Sequence, residues 1–401
     1  MPDRHVLRDP EFRAVLLADA LSTVGDQVAR IAVALAVLER SGSPFAASAT
    51  YACSYLTWLL GGPFLTALAD RYPRRRVMVV CDLLRMVLVG ALAVPGTPLW
   101  AVFAVLVLVG LLAPPFEAAH SSLLADVLSG DRYVVGNALT NAVGQAGQLL
   151  GFVAGGGMVV LLGVSGALLA DAATFGLSAL LLLRVREREH RVHEQETSTT
   201  RWQEAVAGFA LLGRSPRLRL LLCWGLLSAT AVIAPEGLAV AVAEQDGRGP
   251  FVAGLLTASV PAGFLLGSWL VLRLAPERRE QLFPYLVVTS CVPLMLTAVV
   301  QDALVLCGLW AVAGAGNALQ LVANSSYVQA VPAHLRGRAF GVAATLLMAV
   351  QGVVLLAAGA LAEVTGPRVP VAVLAAACLL LVPLLAAATP APEHPEPVVR
   401  P

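Results

Sequence analysis

The stretch TALADRYPRRR, residues 66–76, determines how the rest of the chain is interpreted. It is a short charged turn between two apolar segments, residues 45–69 and 77–94. At about 1.5 Å per residue, a helix of either length can cross the roughly 30 Å of a bilayer's hydrocarbon core. Arginines resist translocation, so the turn is predicted to lie in the cytoplasm because it contains Arg71, Arg74, Arg75 and Arg76.

The composition indicates a membrane protein. Of the 401 residues, 58% are hydrophobic and only 13% are charged, and the mean hydropathy is +0.78. Such a chain is too apolar to fold as water-soluble domains. The net charge of +1 gives no general attraction to nucleic acid. We therefore expect the lipid bilayer, and not nucleic acid, as a partner.

Hydrophobic windows predict an all-α membrane protein with twelve transmembrane helices in two pseudo-symmetric six-helix bundles. A weak internal repeat at an offset of 203 residues supports two matching halves, as expected of secondary transporters. Most of the 27 basic residues lie on one side if both termini are cytoplasmic. The predicted windows are residues 12–38, 45–69, 77–94, 98–118, 137–162, 164–183, 219–243, 250–272, 283–300, 303–328, 338–362 and 370–388.

These windows divide the chain into four parts. We predict an N-terminal bundle over residues 1–184 and a C-terminal bundle over residues 219–388. A cytoplasmic linker, residues 185–218, joins them and contains apolar residues at helical spacing, which predicts an amphipathic helix on the membrane surface or an ordinary elbow before the seventh span. Residues 389–401 form a cytoplasmic tail.

The charged turn resembles the signature that the major facilitator superfamily carries between its second and third helices, Gly-x-Leu-Ala-Asp-Arg-x-Gly-Arg-Arg. The residues that match this signature are Leu68, Ala69, Asp70, Arg71, Arg74 and Arg75. Its two glycine positions are occupied by Thr66 and Pro73. The stretches SSLLADVLSGDRYVVGNAL, WQEAVAGFALLGRSPRLRLL and VPAHLRGRAFGV are similar to the exporter branch that includes enterobactin and macrolide efflux proteins. The resemblance implies the major facilitator fold and export of a small molecule.

For the turn itself, the resemblance implies a gating motif. A carboxylate at Asp70 can cap the positive N-terminus of helix eleven near Gly337. Arg74 can then pair with Asp126, and together these contacts would latch the two halves in the outward-open state. Arg71 and Arg75 complete the motif. The alternative is that the arginines only enforce topology.

The first span contains a polar stripe made by Asp19, Ser22, Asp26 and Arg30. A charged residue at mid-bilayer costs roughly 2.5 to 3.5 kcal/mol, so this stripe should face protein or a watery cavity. Asp26 and Arg30 either neutralise each other as an i,i+4 pair or provide a proton or cation site.

Two further features suggest ion coupling. In span seven, Pro235 and Gly237 flank Glu236, which predicts a broken helix beside a coupling carboxylate; an exposed loop carboxylate is the alternative. Glu117 and Asp171 are lesser proton candidates.

Uncharged polar side chains along several spans predict the substrate cavity. They share single helix faces and comprise Asn141, Gln145 and Gln148 in span five, Asn317, Gln320 and Asn324 in span ten, Gln351 in span eleven and the aromatic Tyr55 in span two. Tyr55 could stack an aromatic substrate or only pack between helices. The stretch GFVAGG at residues 151–156 resembles the antiporter motif of the family's exporters, with Phe152 in place of proline.

No enzyme activity and no cofactor are expected, because Walker, Rossmann and nucleophile-elbow contexts are missing from the sequence. His190 and His193 have no nearby third ligand, so no metal site is expected. The sequence predicts a monomeric secondary exporter in the bacterial plasma membrane, moving a small amphipathic molecule such as a drug, antibiotic or siderophore in exchange for protons. A proton-coupled importer of a nutrient and a transport-inactive sensor are the alternatives.

Overall fold

The protein is described by a computed structural model covering residues 6–187, 210, 212–275, 279–332 and 335–388; at 60, 62–64, 67, 70, 337 and 338 only the backbone is described. Within these residues all regular structure is helical. The amphipathic helix predicted in the linker lies outside the described residues, as do His190, His193 and the tail.

Seven helices form the N-terminal half. They are α1 (Pro10–Ser41), α2 (Pro44–Leu65), α3 (Ala67–Arg71), α4 (Arg74–Leu92), α5 (Leu99–Leu111), α6 (Ala113–Val127) and α7 (Asp131–Leu182). Seven more form the C-terminal half, with short 3₁₀ turns after α9 and α10: α8 (Pro216–Gln245), α9 (Gly249–Leu272), α10 (Phe283–Met295), α11 (Ala303–Gly316), α12 (Leu319–Ala330), α13 (Arg336–Thr365) and α14 (Arg368–Ala388). The starts of α8, α9 and α11 follow those of α1, α2 and α5 at close to the predicted offset.

Local sequence signals set the helix ends. Asp9 precedes α1, and its carboxylate accepts the backbone N–H of Glu11 at 3.0 Å while Pro10 takes the first helical position. The helix ends at Gly42 with φ of 67°, a conformation that favours glycine. Serine followed by proline starts α2 and α8 in the same way.

Nine helical segments of the described chain are long and apolar enough to cross a membrane. One of these, α7, contains a non-helical residue at Gly163 (φ 71°, ψ 175°), so its 52 residues comprise two helices. Helix α4, by contrast, carries three arginines in its first turn as well as buried Asp82 and Arg85, which makes it less apolar than the other spans. Twelve membrane crossings therefore stay a prediction. Counting α2, α4 and the second part of α7 as separate spans would bring the nine segments to twelve.

Two predicted spans are not continuous helices. Residues 98–118 were expected to form one helix, but it is interrupted at Leu112 because Pro114 and Pro115 lack the backbone N–H that would continue it. Residues 303–328 are interrupted at Asn317, whose backbone N–H is shared between the carbonyls of Ala313 and Gly314 at 3.2 and 3.1 Å. The two interruptions occupy equivalent places in the two halves.

The halves pack together at one end of the helices. We call the end that carries Arg74, Arg75 and Arg76 the arginine-rich end, and the end where α2 and α9 begin the opposite end. At the opposite end a Cβ added to Gly254 of α9 would lie 2.5 Å from the backbone oxygen of Phe152 in α7. A Cβ on Gly359 of α13 would lie 3.0 Å from the Cα of Phe45 in α2. Such backbone approach requires glycine, and it closes the halves at this end.

Close packing of α9 on α11 makes Gly263 sensitive to substitution. A Cβ at this position would lie 2.9 Å from the Cα of Ala311 and closer still to its carbonyl oxygen, and backbone cannot move aside cheaply. We expect Gly263→Ala to lower the free energy of unfolding by about 1–3 kcal/mol, the range for overpacking. Gly308→Ala is the matched control, because nothing lies within 4 Å of the added methyl group. Thermal unfolding of both variants in detergent tests this, and equal midpoints would contradict it.

Candidate functional site

An ion pair joins the two halves. Arg30 of α1 donates from Nη1 to Oε1 of Glu236 in α8, and the two atoms lie 3.2 Å apart. The hydroxyl of Tyr55 in α2 lies 3.3 Å from both carboxylate oxygens of Glu236. The Arg30 guanidinium also lies 6.0 Å from the centroid of the Tyr55 ring. We call Arg30, Tyr55 and Glu236 the bridge.

The bridge lies deep in the helix bundle. Arg30 and Glu236 each stand about ten residues before the end of their helix, which corresponds to about 15 Å from the opposite end at 1.5 Å per residue. Their side chains are 27% and 16% exposed. A charge at this depth is costly without a partner. When the halves separate, Arg30 and Glu236 must therefore each find another partner, gain access to water or lose the charge.

The bridge corrects the interpretation of the stripe in span one. Arg30 does not form an ion pair with Asp26 but with Glu236, which belongs to the other half of the chain. The expected i,i+4 ion pair does not form, because the Arg30 guanidinium contacts the Glu236 carboxylate instead. Asp26 and Arg30 both line a cavity inside the N-terminal half, together with Arg85 and Asp171. Sequence spacing within one helix could not reveal a partner 206 residues away.

The predicted break in span seven is also wrong. Helix α8 runs without interruption from Pro216 to Gln245 and contains Pro235 in its interior. Proline removes a single backbone donor, and the buried residues on both sides hold the helix together. Gly237 serves close packing, since an added Cβ would clash with the side chains of Leu355 and Ser48. Glu236 is thus a half-buried interface residue within a helix and not a loop carboxylate.

A second contact between the halves was missed from the sequence. Glu363, near the end of α13, accepts a hydrogen bond from the backbone N–H of Phe45 at 3.2 Å and another from the Ser43 hydroxyl. A carboxylate at this place stabilises the positive N-terminus of α2. Nearby, Ser48 donates to the backbone oxygen of Leu355 at 2.8 Å. Only the pairing of α2 with α13 brings these residues together, so no local signal could have indicated them.

The arginine-rich turn binds within its own half. Arg74 forms the predicted ion pair with Asp126 and donates to the Ser122 carbonyl at 3.0 Å. Arg75 donates to the carbonyl of Val185 at 2.9 Å. Because all these partners belong to the N-terminal half, the Arg74–Asp126 pair cannot itself latch one half to the other, which corrects that expectation. Arg71 is exposed.

The gating role of Asp70 stays a prediction, because only the backbone is described at Asp70 and at Gly337. Its counterpart in the repeat, Arg273, lies with its guanidinium 3.5 Å from the centroid of the Trp269 ring. We expect Asp70→Asn to slow transport more than Arg273→Gln, because the negative charge of a carboxylate stabilises a helix N-terminus and the guanidinium of Arg273 cannot do so. Initial transport rates of the two variants test this, and the reverse order would defeat the assignment.

The predicted cavity residues have different surroundings. Asn317 accepts a hydrogen bond from the Ser228 hydroxyl at 2.8 Å, and Gln320 donates to the Gly225 carbonyl at 3.1 Å, so both tie α8 to the helices of span ten. The other predicted residues are an exposed Asn141 whose amide donates to its own helix, half-buried Gln145 and Gln148, an exposed Asn324, and Gln351, whose Oε1 is buried without a described partner. Contact of any of them with substrate stays a prediction.

Large apolar side chains cover the outer surface of the bundle. Leu161, Val364 and Leu380 are 82%, 86% and 75% exposed, as expected for side chains that face lipid. Among the described residues, no three His, Cys, Asp or Glu side chains are grouped so that they could hold a metal ion. Two helical halves that meet around a buried ion pair, with an apolar outer surface, define a multi-pass membrane carrier.

The chain belongs to the Major Facilitator Superfamily, whose family model matches residues 15–352. It is 29% identical over 385 residues to the multidrug efflux pump Tap of Mycobacterium tuberculosis, covering 90% of this chain and 89% of Tap. It is 26% identical over 269 residues to the lysophospholipid transporter LplT of Escherichia fergusonii, covering 64% of each chain. Among solved structures, it is similar to the nucleoside transporter NupG with a TM-score of 0.76 at 13% identity, covering 95% of this chain and all of that one.

The family confirms the fold expected from residues 66–76, and family and relatives are transporters and not enzymes. The protein is therefore a multi-pass transporter with the major facilitator fold.

Proposed function

We propose that the protein exports a small amphipathic molecule across the bacterial plasma membrane in exchange for protons, working as a monomer with both termini in the cytoplasm. The bridge is the observation that carries this proposal. It places an ionisable carboxylate, Glu236, at the interface whose opening and closing moves the cargo. A proton on Glu236 removes its charge, and its pairing with Arg30 is then lost.

The bridge explains how proton binding and cargo movement are coupled. When the halves separate at the opposite end, Glu236 leaves Arg30 and faces the outside, where it binds a proton. The neutral carboxyl can return with the halves, and loss of the proton toward the arginine-rich end lets the bridge form again. An empty carrier with an ionised Glu236 must break a buried ion pair to open, whereas bound cargo offsets that cost. Exchange is thereby favoured over leakage.

The nature of the cargo is supported by the cavity residues and the relatives. Gln145, Gln148 and Asn324 are polar but uncharged and lie on helices that are otherwise apolar, which suits a molecule with both kinds of surface. One relative is named a multidrug efflux pump and another a lysophospholipid transporter, and a lysophospholipid is amphipathic. Similarity to a multidrug efflux pump favours export over import as the direction of transport.

A resistance panel and a transport assay test the proposal. A strain that lacks this protein should become more sensitive to at least one amphipathic antibiotic, and the wild-type gene should restore resistance. The purified protein in liposomes should then expel that compound when the proton gradient is directed inward. Accumulation of the compound with the protons would instead indicate an importer, and absence of gradient-dependent flux for any bound compound would favour a sensor. If the protein moves a lysophospholipid and not the antibiotics, that lipid is the cargo and the proposed exchange with protons still holds.

A further inference from the structure

A second charged cluster lies inside the N-terminal half, behind the bridge. Asp26 of α1, Arg85 of α4 and Asp171 of α7 line one cavity of about 120 Å³, together with the hydroxyl-bearing Thr50 and Ser54 of α2. The cavity is formed by helices of a single half, so the movement of one half against the other does not assemble it. Arg30 lines it as well, so the cavity reaches the N-terminal side of the bridge, whereas Glu236 does not line it.

Two charged groups of this cavity, Asp171 and Arg85, are buried and only partly satisfied, whereas Asp26 is half-buried. Asp171 is 1% exposed and Arg85 is 5% exposed. Asp171 accepts at Oδ1 from the Thr174 hydroxyl at 3.2 Å, whereas its Oδ2 has no hydrogen-bond partner in the described chain, and neither has Nε of Arg85. Buried polar atoms are rarely left without a partner, so the unpaired carboxylate oxygen indicates that a proton or another donor is bound there.

The charge balance favours a proton. Arg85 is the positive charge that Asp26, Asp171 and the fully buried Asp82 share, although none of the three forms an ion pair with it, and Arg30 is paired with Glu236. Three carboxylates cannot all remain ionised beside a single guanidinium in an apolar interior. The same guanidinium repels a metal cation but tolerates a neutral carboxyl group. The other titratable or charged groups within electrostatic reach of these aspartates are Asp19 and Arg30 on α1 and Glu117 on α6, and His120 on α6 acts on Asp19.

Arg85 is held in place by its surroundings. Its guanidinium lies 5.0 Å from the ring centroid of Phe116 and 5.7 Å from that of Phe175, so two aromatic faces stabilise its charge without accepting hydrogen bonds. Asp82 is itself fixed by the Ser178 hydroxyl, which donates to Oδ2 at 2.6 Å. Arg85 is thus available to the aspartates that face the cavity.

We propose that Asp26 and Asp171, with Arg85 beside them, form a second proton-binding site inside the N-terminal half. The proposal rests on the proposed proton exchange. Asp26 stands one helical turn from Arg30, and the two interact electrostatically. In the cycle, an ionised Asp26 takes up the proton that leaves the carboxyl group of Glu236 as Glu236 pairs with Arg30. The proton is then released from Asp26 to water at the arginine-rich end, and Asp26 becomes ionised again.

Infrared spectroscopy of the purified protein tests this site without any transported substrate. The carbonyl stretch of a protonated carboxyl group is recorded while the pH is changed between about 6 and 9, a range in which exposed carboxyl groups are almost fully ionised. We expect the wild-type protein to show a titrating band that is diminished in both Asp26→Asn and Asp171→Asn. Asp26→Glu should retain a shifted band, which separates loss of the carboxyl group from misfolding. Asp302→Asn, at an exposed helix cap, is the matched control and should leave the band unchanged.

Two outcomes would overturn the site. A band that keeps its full amplitude in both asparagine variants would place the proton elsewhere, and a band that shifts with added sodium at constant pH would indicate a metal-cation site. Failure of the proposed function is distinguishable. If the wild-type band titrates as expected but no compound moves against a proton gradient, the site stands and proton-driven export fails. If export is proton-driven while the band persists in both variants, the site fails and the function stands.

Discussion

Replacing Glu236 with Gln is expected to abolish proton-driven export while leaving the protein folded in the membrane. Glutamine preserves the shape of the side chain and can still accept hydrogen bonds from Arg30 and Tyr55, but it cannot gain or lose a proton at physiological pH. Gradient-driven efflux from liposomes should fall to the level of protein-free liposomes, because the variant lacks the group through which the proton gradient acts on the carrier. Binding of the cargo, measured by calorimetry, should be retained.

The control for this variant lies on the same helix. Glu244 is exposed near the end of α8, so Glu244→Gln changes the same chemical group without touching the bridge. We expect this variant to export at the wild-type rate. Equal rates in the two variants would mean that Glu236 is only a packing residue and that protons couple elsewhere.

Replacing Gly254 with Val is expected to prevent the halves from closing at the opposite end. A Cβ at this position lies 2.5 Å from the carbonyl oxygen of Phe152 and 3.1 Å from the Cα of Gly156 across the interface, and valine adds two more carbons. Because backbone atoms form the obstacle, the halves must separate to accommodate the side chain. Transport should be lost, and the protein should accumulate in a form open at the opposite end.

Gly157→Val provides the matched comparison. Gly157 is the neighbour of Gly156 on α7, but nothing lies within 4 Å of its added Cβ. Cross-linking of cysteines introduced at Ser43 and Glu363 should be efficient in the wild-type background and in Gly157→Val, and poor in Gly254→Val. Efficient cross-linking in Gly254→Val would show that this glycine contact does not control closure.

The sequence was sufficient for the fold and for naming the three bridge residues as candidates, but not for their pairing. Residues 66–76 and the apolar windows led to the correct family, because span length and arginine position are local properties. Arg30 and Glu236 are candidates because a charged side chain in a membrane span is costly and therefore rare, and Tyr55 is a candidate because its ring could stack on a substrate.

The sequence did not predict a contact correctly when the two partners belong to different halves of the chain. Arg30 had a candidate partner four residues away, yet Glu236, 206 residues away, is the one that it contacts. Glu363 was missed entirely. An acidic residue near a helix end is common in any sequence, and only the packing of α2 against α13 shows that Glu363 binds the start of α2. The break expected in α8 was wrong because the effect of Pro235 depends on the packing around it, which is a tertiary property.

Simultaneous recording of cargo and proton flux tests the central claim most directly. The wild-type protein is reconstituted with its arginine-rich end facing outward in liposomes that have an acidic interior and contain a pH-sensitive dye. The compound identified by the resistance panel is then added outside. We predict that the compound enters the liposomes while the interior becomes more alkaline, and that Glu236→Gln shows neither change. Entry of the compound into wild-type liposomes with no accompanying change in internal pH would contradict proton exchange through the bridge.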